Sequence, residues 1–159
     1  MFRRATGKTK LMYFKKQDTA VADVIMEGGL VGLNDSGKLQ YCGNDSTDRV
    51  IGVAKMSVSA IDTSSWNTAP WLPVEVPVES GVEWDIDTDS DGGAADSDVG
   101  RYVAVDTATA SDCAATRVDI SDTANPQVFI TKVISATKVR GVLSKTAFVR
   151  TFDSLDTTG

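Results

Sequence analysis

Two neighbouring stretches, Val74-Glu75-Val76-Pro77-Val78-Glu79 and Val82-Glu83-Trp84-Asp85-Ile86-Asp87, decide the fold class. In the first, the valines share one face and Glu75, Pro77 and Glu79 the other. In the second, Val82, Trp84 and Ile86 alternate with acids. A period of two is that of a β-strand, and one apolar face against one polar face is the pattern of an antiparallel sheet with a wet side. Proline has no N–H to give a ladder, so Pro77 predicts an edge strand or a position turned outward. Working outward, strands are expected at Tyr102–Asp106, Arg117–Ile120, Val128–Ile134, Val139–Leu143 and Ala147–Phe152. Turn formers separate such segments: Asn34-Asp35-Ser36-Gly37, Asp91-Gly92-Gly93 and Thr123-Ala124-Asn125-Pro126.

Composition leans the same way. The 159 residues include 19 Val, 17 Thr and 7 Ile against 7 Leu, and 18 Asp against 4 Glu. β-Branched side chains suit a pleated surface and lose rotamer freedom in a helix, while Asp favours turns and caps over helix interiors. Helix is expected only in short pieces, around Thr19–Ile25 and Ser111–Thr116. Many short strands at close spacing predict an all-β, mainly antiparallel fold: a small β-barrel or sandwich with at most one or two short helices. A chain of this length can bury a core without disulfide staples. Cys42 and Cys113 are expected as reduced thiols, which suits assembly in a reducing cytoplasm. No apolar run is long enough for a membrane-spanning helix, and no signal-peptide core follows the basic start.

The chemical inventory is narrow. With no histidine in the chain, Ser-His and Cys-His nucleophiles and imidazole metal ligands are excluded. Ser144 and Lys145 are neighbours, so on a strand they face opposite ways and cannot form a nucleophile–base dyad. Gly28-Gly29 and Gly92-Gly93 lack the following helix and Lys-Ser/Thr of a phosphate loop. Outward acids between 75 and 98 are expected to confer solubility rather than a glycosidase pair. We therefore expect no enzyme, no catalytic residues, no cofactor and no assigned metal. Trp66, Trp71 and Trp84 are expected to fill core, with an interface as the alternative.

One acidic motif stands out. From Asp87 to Asp98, oxygens fall at positions 1, 3 and 5, Gly92 at 6 and a carboxylate at 12, which is the spacing of a loop that wraps a hard cation. Asp98 in place of Glu, Ala94 at position 8 and strand-like flanks favour a solvated hairpin loop. Weak Ca²⁺ binding is the alternative.

Charge is uneven along the chain. Residues 1–16 hold Arg3, Arg4, Lys8, Lys10, Lys15 and Lys16 and no acid; residues 56–100 hold ten acids and no base. This predicts a basic N-terminal arm over 1–18, a single β-rich domain over 19–153 and a flexible tail over 154–159. The arm is either a solvated terminus or a docking device. The body is acidic, and the whole chain still carries a net charge of −6; such a body repels phosphate, which argues against nucleic acid as the partner. Leu11, Met12, Tyr13 and Phe14 within the arm favour a protein partner, because they need a dry surface.

The stretch Gly29-Leu30-Val31-Gly32-Leu33-Asn34-Asp35-Ser36-Gly37-Lys38-Leu39-Gln40-Tyr41 has the form strand, tight turn, strand. A polar loop, Asn44-Asp45-Ser46-Thr47-Asp48, and then Val50-Ile51-Gly52-Val53-Ala54 follow. This resembles the head decoration, or cement, proteins of tailed bacteriophages, in which such a hairpin precedes a polar loop and an Ile-Gly-Val-Ala strand. The later order looks similar too: a Val-Pro-Val strand, a Gly-led hairpin at Gly81–Asp87, Gly-Arg-Tyr-Val-Ala-Val, and a closing Val/Phe strand. The motif covers 28–54 and the wider pattern about 20–150; the acidic insert at 85–98 departs from it. The resemblance implies a non-enzymatic viral structural protein on the capsid exterior, assembled in the host cytoplasm. It would act as a homotrimer that bridges neighbouring major capsid proteins, with no nucleic acid or membrane partner. Its capsid-binding residues would be Arg3, Arg4, Lys8, Lys10, Leu11, Tyr13, Phe14, Lys15 and Lys16. Deleting residues 1–16 is then expected to abolish capsid attachment and leave the fold intact. The alternatives are a β-rich tail-tube or connector protein of the virion, and a calcium- or carbohydrate-binding β module.

Overall fold

The computed structural model describes residues 1–16, 25–33, 37–42, 49–58, 71–89, 93–106, 117–124 and 126–143. They form eleven strands: β1 (Phe2–Thr6), β2 (Thr9–Lys15), β3 (Leu30–Leu33), β4 (Leu39–Tyr41), β5 (Arg49–Ala54), β6 (Trp71–Pro77), β7 (Glu83–Asp87), β8 (Tyr102–Asp106), β9 (Arg117–Asp119), β10 (Val128–Ser135) and β11 (Lys138–Leu143). One six-stranded sheet runs β1-β7-β11-β10-β8-β9 and one five-stranded sheet runs β2-β6-β5-β3-β4. Every strand pairing is antiparallel. The fold is thus all-β and sandwich-like. Among the described residues the helical content is one 3-10 turn, Asp96–Asp98. The expected helices at Thr19–Ile25 and Ser111–Thr116 lie outside the described residues, except for Ile25, which bridges to Val58. The expected strand Ala147–Phe152 and the tail 154–159 also lie outside them.

The alternating stretches behave as their pattern requires. Trp84 and Ile86 are fully buried, while Glu83, Asp85 and Asp87 point to the half-exposed face. Val74 and Val76 are buried but Val78 is exposed, because the chain leaves the five-stranded sheet there and crosses to the other. Contrary to one expectation, β6 is not an edge strand: β2 flanks it on one side and β5 on the other. The β5 ladder touches only Val74 and Glu75, so it makes no demand on the N–H that Pro77 lacks.

The largest correction concerns the arm expected over 1–18: its described residues, 1–16, lie in the sheets of the body. Residues 2–15 run antiparallel to 71–87 as one long two-stranded ribbon: β1 on β7 in the six-stranded sheet, β2 on β6 in the other. The ribbon bends between the sheets at Gly7, whose φ is +89°. A Cβ there would lie 2.9 Å from Val82 Cα, so both the left-handed backbone and the close approach call for glycine. The physical reason for the correction is pairing and packing: both strands are laddered into the sheets, Phe2 enters one core, and Met12 and Phe14 pack on the other.

Two apolar clusters hold the sheets. One combines Phe2, Trp84, Ile86, Val103, Val128, Ile130 and Val139 of the six-stranded sheet with Leu30, Val50 and Val53 of the five-stranded one. The other lies on the opposite face of the five-stranded sheet and gathers Val31, Leu39, Ile51, Leu72, Val74 and Val76, with Met12 and Phe14 packed against it. Strands β3 and β5 are therefore buried on both faces. Gly52 shows how tightly: a Cβ there would collide with the Glu75 carbonyl oxygen. An isolated bridge from Lys16 to Leu39 brings the end of β2 back to β4, and one from Thr88 to Val118 brings the end of β7 to β9.

A candidate docking face on β2 and β6

Antiparallel partners share a face, so the register of β2 on β6 sorts the N-terminal residues. Met12 pairs with Val74 and Phe14 with Leu72, facing the second core. Leu11 pairs with Glu75, Tyr13 with Pro73 and Lys15 with Trp71, on the outer face. There Leu11 is 50% exposed, Tyr13 58% and Trp71 57%. Three large apolar side chains in consecutive cross-strand rows make a stripe of the kind that marks interaction surfaces. The Lys15 ammonium sits over the Trp71 ring, 5.4 Å from its centroid, a cation–π contact that holds the indole in place.

The nine residues expected to dock divide accordingly. Arg3, Arg4, Lys8, Lys10, Leu11 and Tyr13 are exposed, and Lys15 is half-buried. Phe14 turns inward onto the core. Lys16 is fully buried, on the Met12–Phe14 face, and its Nζ has no hydrogen-bond partner among the described residues. Arg4 reaches from β1 to the five-stranded sheet: its Nη1 donates to Thr9 Oγ1 at 2.8 Å, and its Nε lies 3.2 Å from Glu75 Oε1. Lys8 marks the bend between the sheets, where its backbone N–H donates to Glu79 Oε1 at 2.7 Å. Lys55, which follows β5, adds a further cation 3.5 Å from Glu75 Oε2. Sequence reasoning missed two contributors, Lys55 and Glu75 as the carboxylate that organises the cations; Trp71, expected to fill core with an interface as the alternative, is exposed. Trp84 does fill the core; Trp66 lies outside the described residues.

The six-stranded sheet carries charge differently. Asp85 on β7 accepts from Arg140 Nε and Nη2 at 2.7 and 3.2 Å, a two-pronged pair that raises the guanidinium pKa. Asp87 takes the Met1 amino group at 3.3 Å and Lys138 Nζ at 3.5 Å. Burial, outweighing the Asp87 contact, lowers the pKa of that amine.

The acidic segment is likewise engaged with its own chain. Asp98 Oδ2 accepts the Ala95 N–H at 2.9 Å and Oδ1 accepts from Arg101 at 2.7 Å. The Ala95 bond first, then Arg101, holds this carboxyl below its ordinary value. Both end carboxylates of the cation-type spacing, Asp87 and Asp98, thus have cationic partners; positions 90–92 lie outside the described residues. No group of three His, Cys, Asp or Glu that could hold a metal occurs among the described residues. Cys42 is buried, and Cys113 and the Ser144-Lys145 pair lie outside the described residues. No helix is long and apolar enough to cross a membrane, among the residues described. No family model, no curated protein and no solved structure matches the chain.

Proposed function

We propose that this chain is a non-enzymatic structural protein of a tailed-phage virion. In this reading it decorates the capsid exterior and stabilises it by binding neighbouring major capsid proteins, as a homotrimer. One observation carries the docking part: the exposed stripe Leu11–Tyr13–Trp71, bordered by Arg3, Arg4, Lys15 and Lys55 on one sheet face. Interfaces concentrate their affinity in Tyr, Trp and Arg anchors, and strands hold such anchors at lower entropic cost than a floppy arm. The capsid part rests on the resemblance of residues 28–54, which here are β3, β4 and β5 of the same sheet. A trimer would present three such faces at once, so modest single-site affinity would multiply into firm attachment.

The test is co-sedimentation of the purified protein with empty tailed-phage capsids that lack decoration. Analytical ultracentrifugation of the free protein accompanies it. Pelleting with capsids and a trimer in solution support the reading. A protein left in the supernatant contradicts it, and hexameric rings or tubes would favour the tail-tube alternative instead.

A further inference from the structure

Where β1 passes over the start of β2, the molecule has an open groove of about 570 Å³ lined by Arg3, Arg4, Thr9, Leu11, Lys55 and Glu75. Its charges do not balance. Glu75, whose side chain is only 13% exposed, is met by Arg4 Nε at 3.2 Å, Lys55 Nζ at 3.5 Å and the Thr9 hydroxyl at 2.8 Å. One carboxylate thus serves two cations. Arg3 is a third. The register sets it opposite Asp85, but Asp85 is held by Arg140. Among the described residues Arg3 Nε has only the Met1 thioether, 3.4 Å away, and sulfur is a weak acceptor. The groove is therefore left with two surplus positive charges, and Arg3 has donors available for an incoming oxyanion.

We infer that this groove is a carboxylate-binding site for an acidic side chain of an extended partner polypeptide. The inference deepens the docking reading above and rests on it. An oxyanion between Arg3 and Lys55 would gain charge-assisted hydrogen bonds. Leu11 then selects the kind of molecule that carries it. This residue both lines the groove and begins the apolar stripe that continues through Tyr13 to Trp71, so an acid in the groove places its chain along that stripe. In an extended strand, residues two apart share a face and lie about 6.6 Å apart. The recognised pattern is thus Asp or Glu followed by apolar residues at the second and fourth positions. A small free anion would use the cations but leave the stripe uncovered.

The probe is a fluorescein-labelled peptide, Glu-Thr-Val-Thr-Phe with glycine-serine flanks, titrated against the full chain by anisotropy, beside its Gln-for-Glu counterpart. The Glu peptide should bind, and the Gln peptide about fivefold more weakly. Arg3→Gln and Lys55→Gln should each weaken the Glu peptide by about three- to tenfold while leaving the melting temperature in place. Raising salt should weaken it further, because the groove is open to solvent. Equal affinity for the two peptides, or indifference to both substitutions, would overturn the inference. Capsid co-sedimentation separates the two levels. If the double variant pelleted with capsids as well as the native chain, the groove assignment would fail and the capsid reading would stand. If the native chain ignored capsids yet bound the peptide through Arg3 and Lys55, the capsid reading would fail and the groove would stand.

Discussion

The two halves of the N-terminal ribbon meet their surroundings in opposite ways. Strand β1 lies against acidic β7, and on that sheet the charges find partners within the chain: Asp85 with Arg140, Asp87 with Lys138 and the amino terminus. Strand β2 lies against β6, and the outer face of the pair offers Leu11 and Tyr13 of β2 and Trp71 of β6 to solvent, with more cations than acids around them. Asp85 and Asp87 of β7 are thus engaged by Arg140, Lys138 and the amino terminus, while Arg3 and Arg4 of β1 join the outer face of β2 and β6 as a recognition surface. A charge imbalance along a sequence says nothing about which of these it will do until the register is known. Internal pairing spends the charge locally; a surplus that remains after pairing is what a partner can use.

The comparison can be broken most forcefully by removing both halves. Deleting residues 1–16 takes an edge strand from each sheet and strips Phe2, Met12 and Phe14 from the two cores. The loss should be roughly 5 kcal/mol or more, comparable with the whole stability of a small domain. Circular dichroism should show no cooperative native melt. An intact β spectrum with an unchanged melting temperature would restore the separate arm that the sequence suggests. Next in size, Gly52→Ala pushes a methyl group into the Glu75 carbonyl where β5 meets β6. It should cost about 1–3 kcal/mol in urea unfolding, and an unchanged midpoint would mean that the sheet gives way freely there.

Smaller effects sharpen the contrast between the faces. Arg140→Gln removes the half-exposed pair with Asp85 and should cost about 1 kcal/mol, whereas Lys10→Gln should leave the unfolding midpoint in place. Equal losses would erase the distinction between paired and surplus charge. The pH dependence follows from Asp98 and Asp119, both held below the ordinary value of 3.8, Asp119 chiefly by the Ser121 hydroxyl. A depressed carboxyl pKa adds stability that is full above the unfolded value and disappears as pH falls through the lower folded one. Thermal melts should therefore lose stability as pH falls below 3.8, and Asp98→Asn should flatten that slope. A slope unchanged by the substitution would assign the acid lability elsewhere.

Much of the sheet was legible because its strands keep one wet face. Positions 82–87, 102–106 and 128–143 alternate or run β-branched, and the strands fall there within a residue or two. β2 hid for a physical reason. Its core face, Met12 and Phe14, and its outer face, Leu11 and Tyr13, are both apolar, so the period of two vanishes from Leu11-Met12-Tyr13-Phe14. The feature that obscured the strand is the one that marks the surface. Trp71 was legible only as an alternative between core and interface, and Lys55 not at all, because each meets β1 or β2 only through pairing between segments distant in sequence. The Glu75 cation cluster depends on the same register, which composition and local pattern do not encode.

Hydroxyl-radical footprinting of the capsid-bound protein tests the central claim most directly, because it reads individual side chains. Tyr13 and Trp71 should become protected on binding, while Tyr102, 52% exposed on the other sheet, keeps its free reactivity. Protection of Tyr102 with Tyr13 and Trp71 left as reactive as in the free protein would place the partner on the opposite face and contradict the account.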